Sequence, residues 1–117
     1  MQREGKALSC SYFVRYRGTP EDPQRFLEHY RKKHGPIMRT YPGITACRLH
    51  VGTPWVDPVA VTPENVFLLA ELEFPSIEAL NAALASEMRQ RSRADFVNFP
   101  RFDGEITHQA VITETLF

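Results

Sequence analysis

The sequence predicts an α+β domain in the order β-α-β-β-α-β. This is the split βαβ, or ferredoxin-like, arrangement, in which an antiparallel four-stranded sheet carries both helices on one face. Three observations predict it. Residues 8–16, 44–51, 66–74 and 105–113 read as strands, by apolar alternation or by β-branched content. Two segments carry apolar residues at helical spacing behind N-cap signals, at Asp22-Pro23 and at Pro75-Ser76. The 117 residues show neither an internal repeat nor a linker, so a single domain over 1–117 is expected.

In residues 8–16, Leu8, Cys10, Tyr12, Val14 and Tyr16 share one face, while Ser9, Ser11, Phe13 and Arg15 share the other. Arg17-Gly18-Thr19-Pro20 reads as a turn. The first helix is expected over 23–34, burying Phe26, Leu27, Tyr30 and His34 along one stripe, and Gly35-Pro36 is expected to end it. In the second strand, Thr45, Cys47, Leu49 and Val51 oppose Ile44, Ala46, Arg48 and His50. Residues 52–64 hold Pro54, Pro58, Pro63 and the single tryptophan, Trp55, and read as a long loop. In the third strand, Val66, Leu68, Ala70, Leu72 and Phe74 oppose Phe67, Leu69, Glu71 and Glu73. The second helix carries Ile77, Leu80 and Leu84. Ser86-Glu87 restarts it, a second segment carries Met88, Ser92, Asp95, Phe96 and Phe99, and Pro100 stops it.

Composition excludes several function classes. At 43% hydrophobic and 24% charged residues, the chain reads as an ordered globule rather than a disordered one. Fourteen basic residues balance fourteen acidic ones, so net charge gives no reason to expect nucleic acid or an anionic membrane as partner. No apolar run approaches the roughly 20 residues of a membrane span, and no signal region follows Met1, so a cytoplasmic protein is expected. Cys10 and Cys47 lie in apolar strand-like runs and read as reduced core thiols. His29, His34, His50 and His108 show neither His-x-His nor His-Glu-x-x-His spacing, so no metal is expected. There is no Gly-rich phosphate loop and no Gly-x-Ser-x-Gly elbow.

A two-layer domain leaves one sheet face bare. With Phe13, Phe67, Leu69 and Ile44 on it, that face needs cover, and a second copy is the expected partner. Two sheets back to back form a barrel whose interior would hold Arg48, His50 and Glu71 among aromatics, either as a small-molecule pocket or as a filled interface.

Three stretches resemble the EthD family. Phe26 to Ile44, F-L-E-H-Y-R-K-K-H-G-P-I-M-R-T-Y-P-G-I, is similar to its signature of an aromatic pair, His-x-Pro and Pro-Gly. A-E-L-E-F-P-S, from Ala70 to Ser76, resembles its third strand and turn, and A-S-E-M-R-Q-R-S-R-A-D-F-V-N-F, from Ala85 to Phe99, its broken second helix. The resemblance implies a dimeric α/β barrel found among ether and aromatic degradation genes and in polyketide pathways. Relatives on that scaffold include methylmuconolactone isomerases, polyketide cyclases and dehydratases, and cofactor-free monooxygenases.

His34, at the His-x-Pro position, is a candidate proton shuttle or a helix-capping ring. Glu71, at the Ala-Glu-Leu position, is a candidate acid or base with a raised pKa, or else a salt-bridge partner of Arg48 or Arg15. Asp95, at the family's internal Asp, reads as a supporting residue bonded to a backbone N–H or to His34. Arg48 and His50 are candidate substrate-binding residues. Tyr12, Phe13, Tyr41, Phe67 and Trp55 form an aromatic wall or fill the core. The runs Arg31-Lys32-Lys33 and Arg89, Arg91, Arg93 read as solvated helix faces. The expected function is a cofactor-independent isomerase, cyclase or dehydratase acting on an aromatic, polyketide-derived or lactone-like compound. A cofactor-free monooxygenase and a non-catalytic binding or accessory protein are the alternatives.

Overall fold

A computed structural model describes residues 8–117. Strand β1 spans Leu8–Pro20, helix α1 Pro23–His29, helix α2 Gly35–Met38, strand β2 Ala46–Val51, strand β3 Val66–Phe74, helix α3 Ile77–Leu84, helix α4 Glu87–Ala94 and strand β4 Phe102–Glu114. The strands form one sheet in the order β2-β3-β1-β4, with every neighbouring pair antiparallel. The α+β fold expected from the sequence is the fold observed.

The helices cover one face of the sheet, and the core lies between. Cys10, Tyr16, Leu68, Ala70, Leu72 and Phe74 meet Phe26, Tyr30, Met38, Leu80, Ala83 and Phe99 there. Each large apolar side chain so buried contributes about 1.5–3 kcal/mol. The caps are those the sequence signals. Asp22 accepts from the Arg25 N–H at 3.1 Å, Ser76 from the Ala79 N–H at 3.1 Å and Ser86 from the Arg89 N–H at 3.4 Å.

Gly35-Pro36 does not end the first helix. Gly35 keeps helical angles, φ −56° and ψ −47°, and its N–H reaches back five residues to the Tyr30 carbonyl, so Tyr30–His34 is a π-turn that runs on into α2. A proline inside a regular α-helix lacks one N–H and clashes with the carbonyl four residues earlier. The wider π-turn takes up the extra residue just before Pro36.

Arg17 to Pro20 is strand rather than turn. The β1–β4 ladder continues through Gly18↔Gly104 to Pro20↔Phe102. Gly18 and Gly104 hold φ of +139° and +153°, and their backbones approach so closely that a Cβ on Gly104 would sit 2.1 Å from the Arg17 carbonyl oxygen. Two facing glycines read as a turn because glycine permits both; the pairing partner decides.

Two residues expected on the bare face turn inward. The β1–β3 register slips between Tyr16↔Leu68 and Arg17↔Val66, leaving Phe67 as the extra residue of a bulge. Its ring lies 5.6 Å from Phe26, edge to face, in the core. Ile44 precedes β2 and also packs on the core. The outer face therefore carries Phe13, Leu69 and Val111 among mostly polar side chains. Cys10 is fully buried, but Cys47 is exposed, because β2 is an edge strand where the helical layer gives out. Residues 52–64 are exposed throughout, and so is Ile77.

Gly104→Ala is expected to destabilise the protein by about 1–3 kcal/mol, since alanine is strained at this φ. Urea unfolding checks this; an unchanged midpoint would show that the ladder tolerates a side chain there.

Candidate active site

A cleft of about 400 Å³ opens between the sheet and the helices on the β1–β4 side. Its floor is apolar, with Val14 and Ile106 from the strands and Met38 from α2. His34, Tyr41, Arg89, Ser92, Arg93 and His108 bring polar groups to it. This cleft thus lies within one chain, on the helix side of the sheet.

His34 is 8% exposed and lies in the π-turn, held edge to face by Tyr30 at 4.9 Å and Phe99 at 5.0 Å. Its Nδ1 bonds Asp95 Oδ2 at 2.9 Å. His29 Nε2 bonds the same oxygen at 2.9 Å, and Asn98 donates to Asp95 Oδ1 at 3.0 Å. Burial alone would raise the Asp95 pKa, but hydrogen bonds from Asn98, His34 and His29 hold it below the usual carboxylate range. An ionised carboxylate accepts only, so His34 carries its proton on Nδ1 and presents Nε2 as a bare lone pair. Among the described residues Nε2 has no hydrogen-bond partner. Burial lowers the His34 pKa despite the Asp95 bond, which keeps the ring neutral near pH 7.

Tyr41 and Ser92 share a short hydrogen bond. Ser92 Oγ donates to the Arg89 carbonyl at 2.9 Å, so Tyr41 is the donor to Ser92. Burial raises the Tyr41 pKa and keeps that proton on. Arg89 Nη2 donates to the Tyr12 hydroxyl at 3.3 Å, and its guanidinium carbon lies 5.8 Å from the Tyr12 ring centre. The His108 ring sits 5.9 Å from Tyr12. Its pKa is lowered by burial and then by Arg93 and Arg89.

The residues singled out in the sequence divide between two sites. His34, Tyr12, Tyr41 and Asp95 belong to the cleft or its support. Glu71 lies between the buried Ala70 and Leu72, so it projects from the other sheet face, and His34 and Glu71 cannot share a substrate. There Ser11 Oγ donates to Glu71 Oε2 at 2.9 Å, His50 Nε2 bonds Oε1 at 3.0 Å, and Arg48 lies 3.5 Å away. Arg48 also bonds Glu73 at 2.7 Å. Burial pushes the Glu71 carboxyl up, but bonds from His50 and Ser11 and the Arg48 charge outweigh it. Its pKa is lowered, not raised as expected. Phe13 shares this outer face, Phe67 is partly buried against the core, and Trp55 is 57% exposed on its loop.

Sequence reasoning weighed His29 and His108 only as metal ligands and read Arg89 and Arg93 as a solvated helix face, whereas Arg89, Arg93 and His108 line the cleft and His29 bonds Asp95. His29 falls off the apolar stripe because five residues span about 140° beyond a full turn of a regular α-helix. The π-turn brings it to the carboxylate that His34 uses. The signal for that turn was Pro36, read instead as a stop. Among the described residues no group of three or more His, Cys, Asp or Glu side chains is arranged to hold a metal ion. No described helix is long and apolar enough to cross a membrane.

The EthD domain model matches residues 19–103, most of the chain, and the chain belongs to that family. An uncharacterized 11.0 kDa protein from the thcB-thcC intergenic region of Rhodococcus erythropolis is 35% identical over 80 residues, which cover 68% of this chain and 74% of that protein. A solved EthD family protein from Bacillus halodurans C-125 superposes with a TM-score of 0.68 at 23% identity, covering 88% of this chain and 96% of that one. Hydroxynitrile lyase from Passiflora edulis superposes with a TM-score of 0.64 at 15% identity, covering 93% of this chain and 96% of that one. At these identities the structural likeness shows a shared fold.

Both lowered imidazoles make stability depend on pH. Below about pH 6.5 the unfolded chain takes up protons that His34 and His108 refuse in the fold, so stability falls as pH drops through that value. Asp95 and Glu71, held low in the fold, add a second loss below about pH 4. Urea unfolding at stepped pH is expected to show both stages, the upper one reduced in His108→Gln. A flat profile between pH 7.5 and 5 would mean that the rings are hydrated.

Proposed function

We propose that this EthD-domain protein is a cofactor-independent enzyme catalysing proton transfer on a small aromatic, polyketide-derived or lactone-like compound. One observation carries the reading: His34 is fixed through Nδ1 by an ionised carboxylate, its Nε2 has no partner among the described residues, and the ring lines a cleft with an apolar floor.

Nε2 takes a proton from an acidic C–H beside a carbonyl. The C–H electron pair moves into the new C=C bond, and the carbonyl π pair moves onto oxygen. The imidazolium so formed is stabilised by Asp95, whose charge is already oriented at Nδ1. The Tyr12 hydroxyl, polarised by the Arg89 guanidinium, is the donor suited to the developing oxyanion. Returning the proton to a different carbon is an isomerisation. Protonating a departing hydroxide, which leaves as water, is a dehydration. Attack of the enolate on a second carbonyl closes a ring. Proton transfer also underlies cyanohydrin cleavage, the activity named for the Passiflora edulis structure, so cyanohydrins belong among the candidate substrates.

The reading includes a homodimer in which a second copy covers the outer sheet face. That face bears the half-buried Phe13 and Leu69 and the polar network around Glu71. The catalytic role expected for Glu71 passes to Asp95 as the orienting carboxylate. Native mass spectrometry tests the assembly, and a monomer would remove it.

Deuterium uptake from D2O by a panel of aryl ketones and unsaturated lactones, followed by NMR, tests the chemistry. The wild type is expected to accelerate exchange of at least one compound, and His34→Gln to slow it by about 10²-fold or more. Glu71→Gln is expected to leave the rate unchanged. Undiminished exchange in His34→Gln would overturn the assignment. Oxygen uptake with a phenol or anthrone, without exchange, would favour the monooxygenase alternative.

A further inference from the structure

The lining of the cleft is unbalanced in charge. The guanidiniums of Arg89 and Arg93 line it, and among the described residues no carboxylate does. The chain as a whole balances fourteen basic against fourteen acidic residues, so the imbalance is local. Asp95 does not offset it, because that carboxylate lies behind His34 with its oxygens engaged by His29, His34 and Asn98.

Arg89 and Arg93 are four residues apart on α4 and open onto the same cleft. Like charges at that spacing repel, and an anion between them would relieve the repulsion. Among the described residues the Arg93 side chain has no hydrogen-bond or ion-pair partner, and the Arg89 guanidinium donates only to the neutral Tyr12 hydroxyl. Arg15, Arg17, Arg48 and Arg101 meet carboxylates, whereas among the described residues the side chains of Arg25, Arg31, Arg39 and Arg91 do not; what sets Arg89 and Arg93 apart is that both line the cleft. The Tyr12 ring lies beside the guanidinium, and Phe96, exposed at the end of the same helical segment, also lines the cleft. A cation pair next to aromatic walls and an apolar floor fits an amphiphilic ligand with a flat apolar body and one anionic end. About 400 Å³ accommodates a one- or two-ring compound.

We propose that the cleft binds small aromatic carboxylates, with the carboxylate held between Arg89 and Arg93 and the ring system lying between Tyr12 and Phe96 toward His34. This rests on the reading of the cleft as the active site and narrows its substrate class. Substrate binding, expected of Arg48, falls instead to Arg89 and Arg93, because the Arg48 guanidinium is engaged by Glu73 and Glu71.

The probes are 2-naphthoate and its neutral isostere 2-naphthamide, titrated by calorimetry and by NMR of the His108 ring. Naphthoate is expected to bind at least tenfold more tightly than naphthamide, and more weakly as salt rises. Arg93→Gln and Arg89→Gln are each expected to weaken naphthoate about tenfold and leave naphthamide unchanged, while Arg93→Lys keeps part of the preference. Bound carboxylate beside His108 is expected to raise the titration midpoint of that ring. Equal affinity for the two probes, no naphthoate binding at millimolar concentration, or a preference that survives in the double Gln variant overturns the proposal. His34→Gln separates it from the catalytic reading. Naphthoate binding retained in that variant, with deuterium exchange absent even from the wild type, leaves the anion site standing and removes the catalytic role. Wild-type exchange with naphthamide bound as tightly as naphthoate does the reverse.

Discussion

Two imidazole nitrogens meet one oxygen of Asp95, and the site depends on that meeting. His29 and His34 come from the first helical segment, Asp95 from the end of the second, so the carboxylate ties the two halves of the helical layer together over the sheet. A buried carboxylate without partners would be protonated or would disrupt the fold. With three donors it stays ionised, and an ionised acceptor determines which His34 nitrogen bears the proton. The stability of the helical layer and the chemistry offered to the cleft therefore share the same bonds.

That arrangement depends in turn on the backbone. A regular α-helix through Tyr30–His34 would send His29 and His34 to different faces. The π-turn widens the helix by one residue, accommodates Pro36 and places both rings on Asp95. Local strain at a proline and convergence of two side chains are thus one structural event. π-turns are frequent at functional sites for this reason: they re-aim side chains without ending the helix.

The sheet divides two kinds of polar group. On the helix side, Asp95 leaves one nitrogen of His34 unpartnered in the cleft. On the outer side, Glu71, Glu73, Arg48, His50 and Ser11 bond one another, so each charged group there has a partner. Such pairing suits a surface that holds its shape, whereas an unpartnered nitrogen beside uncompensated guanidiniums suits one that meets a ligand. The difference lies in pairing rather than in residue type, since both faces carry histidine, arginine and serine.

Element order, caps, the third strand to the residue, the buried stripe Phe26–Tyr30–His34 and the likeness to the family were all legible in the sequence. The elements, caps and stripe follow from periodicity or from a side chain bonding its own backbone, which are properties of contiguous residues, and the likeness rests on three stretches that resemble the family. The extension of β1 to Pro20, the inward turn of Phe67, the exposure of Cys47 and the position of the cavity were not. Gly18 is strand only because Gly104 faces it, Phe67 is core only because the ladder slips beside it, and Cys47 is exposed only because its strand is an edge. Period-two alternation correctly placed Glu71 and Arg48 on the face away from the core, but it cannot say which face bears the cavity. By itself the sequence determined which residues could form a helix, a strand or a cap. Tertiary structure decided which polar groups are partnered, because pairing joins residues more than sixty positions apart, such as His29 and Asp95, that no local pattern connects.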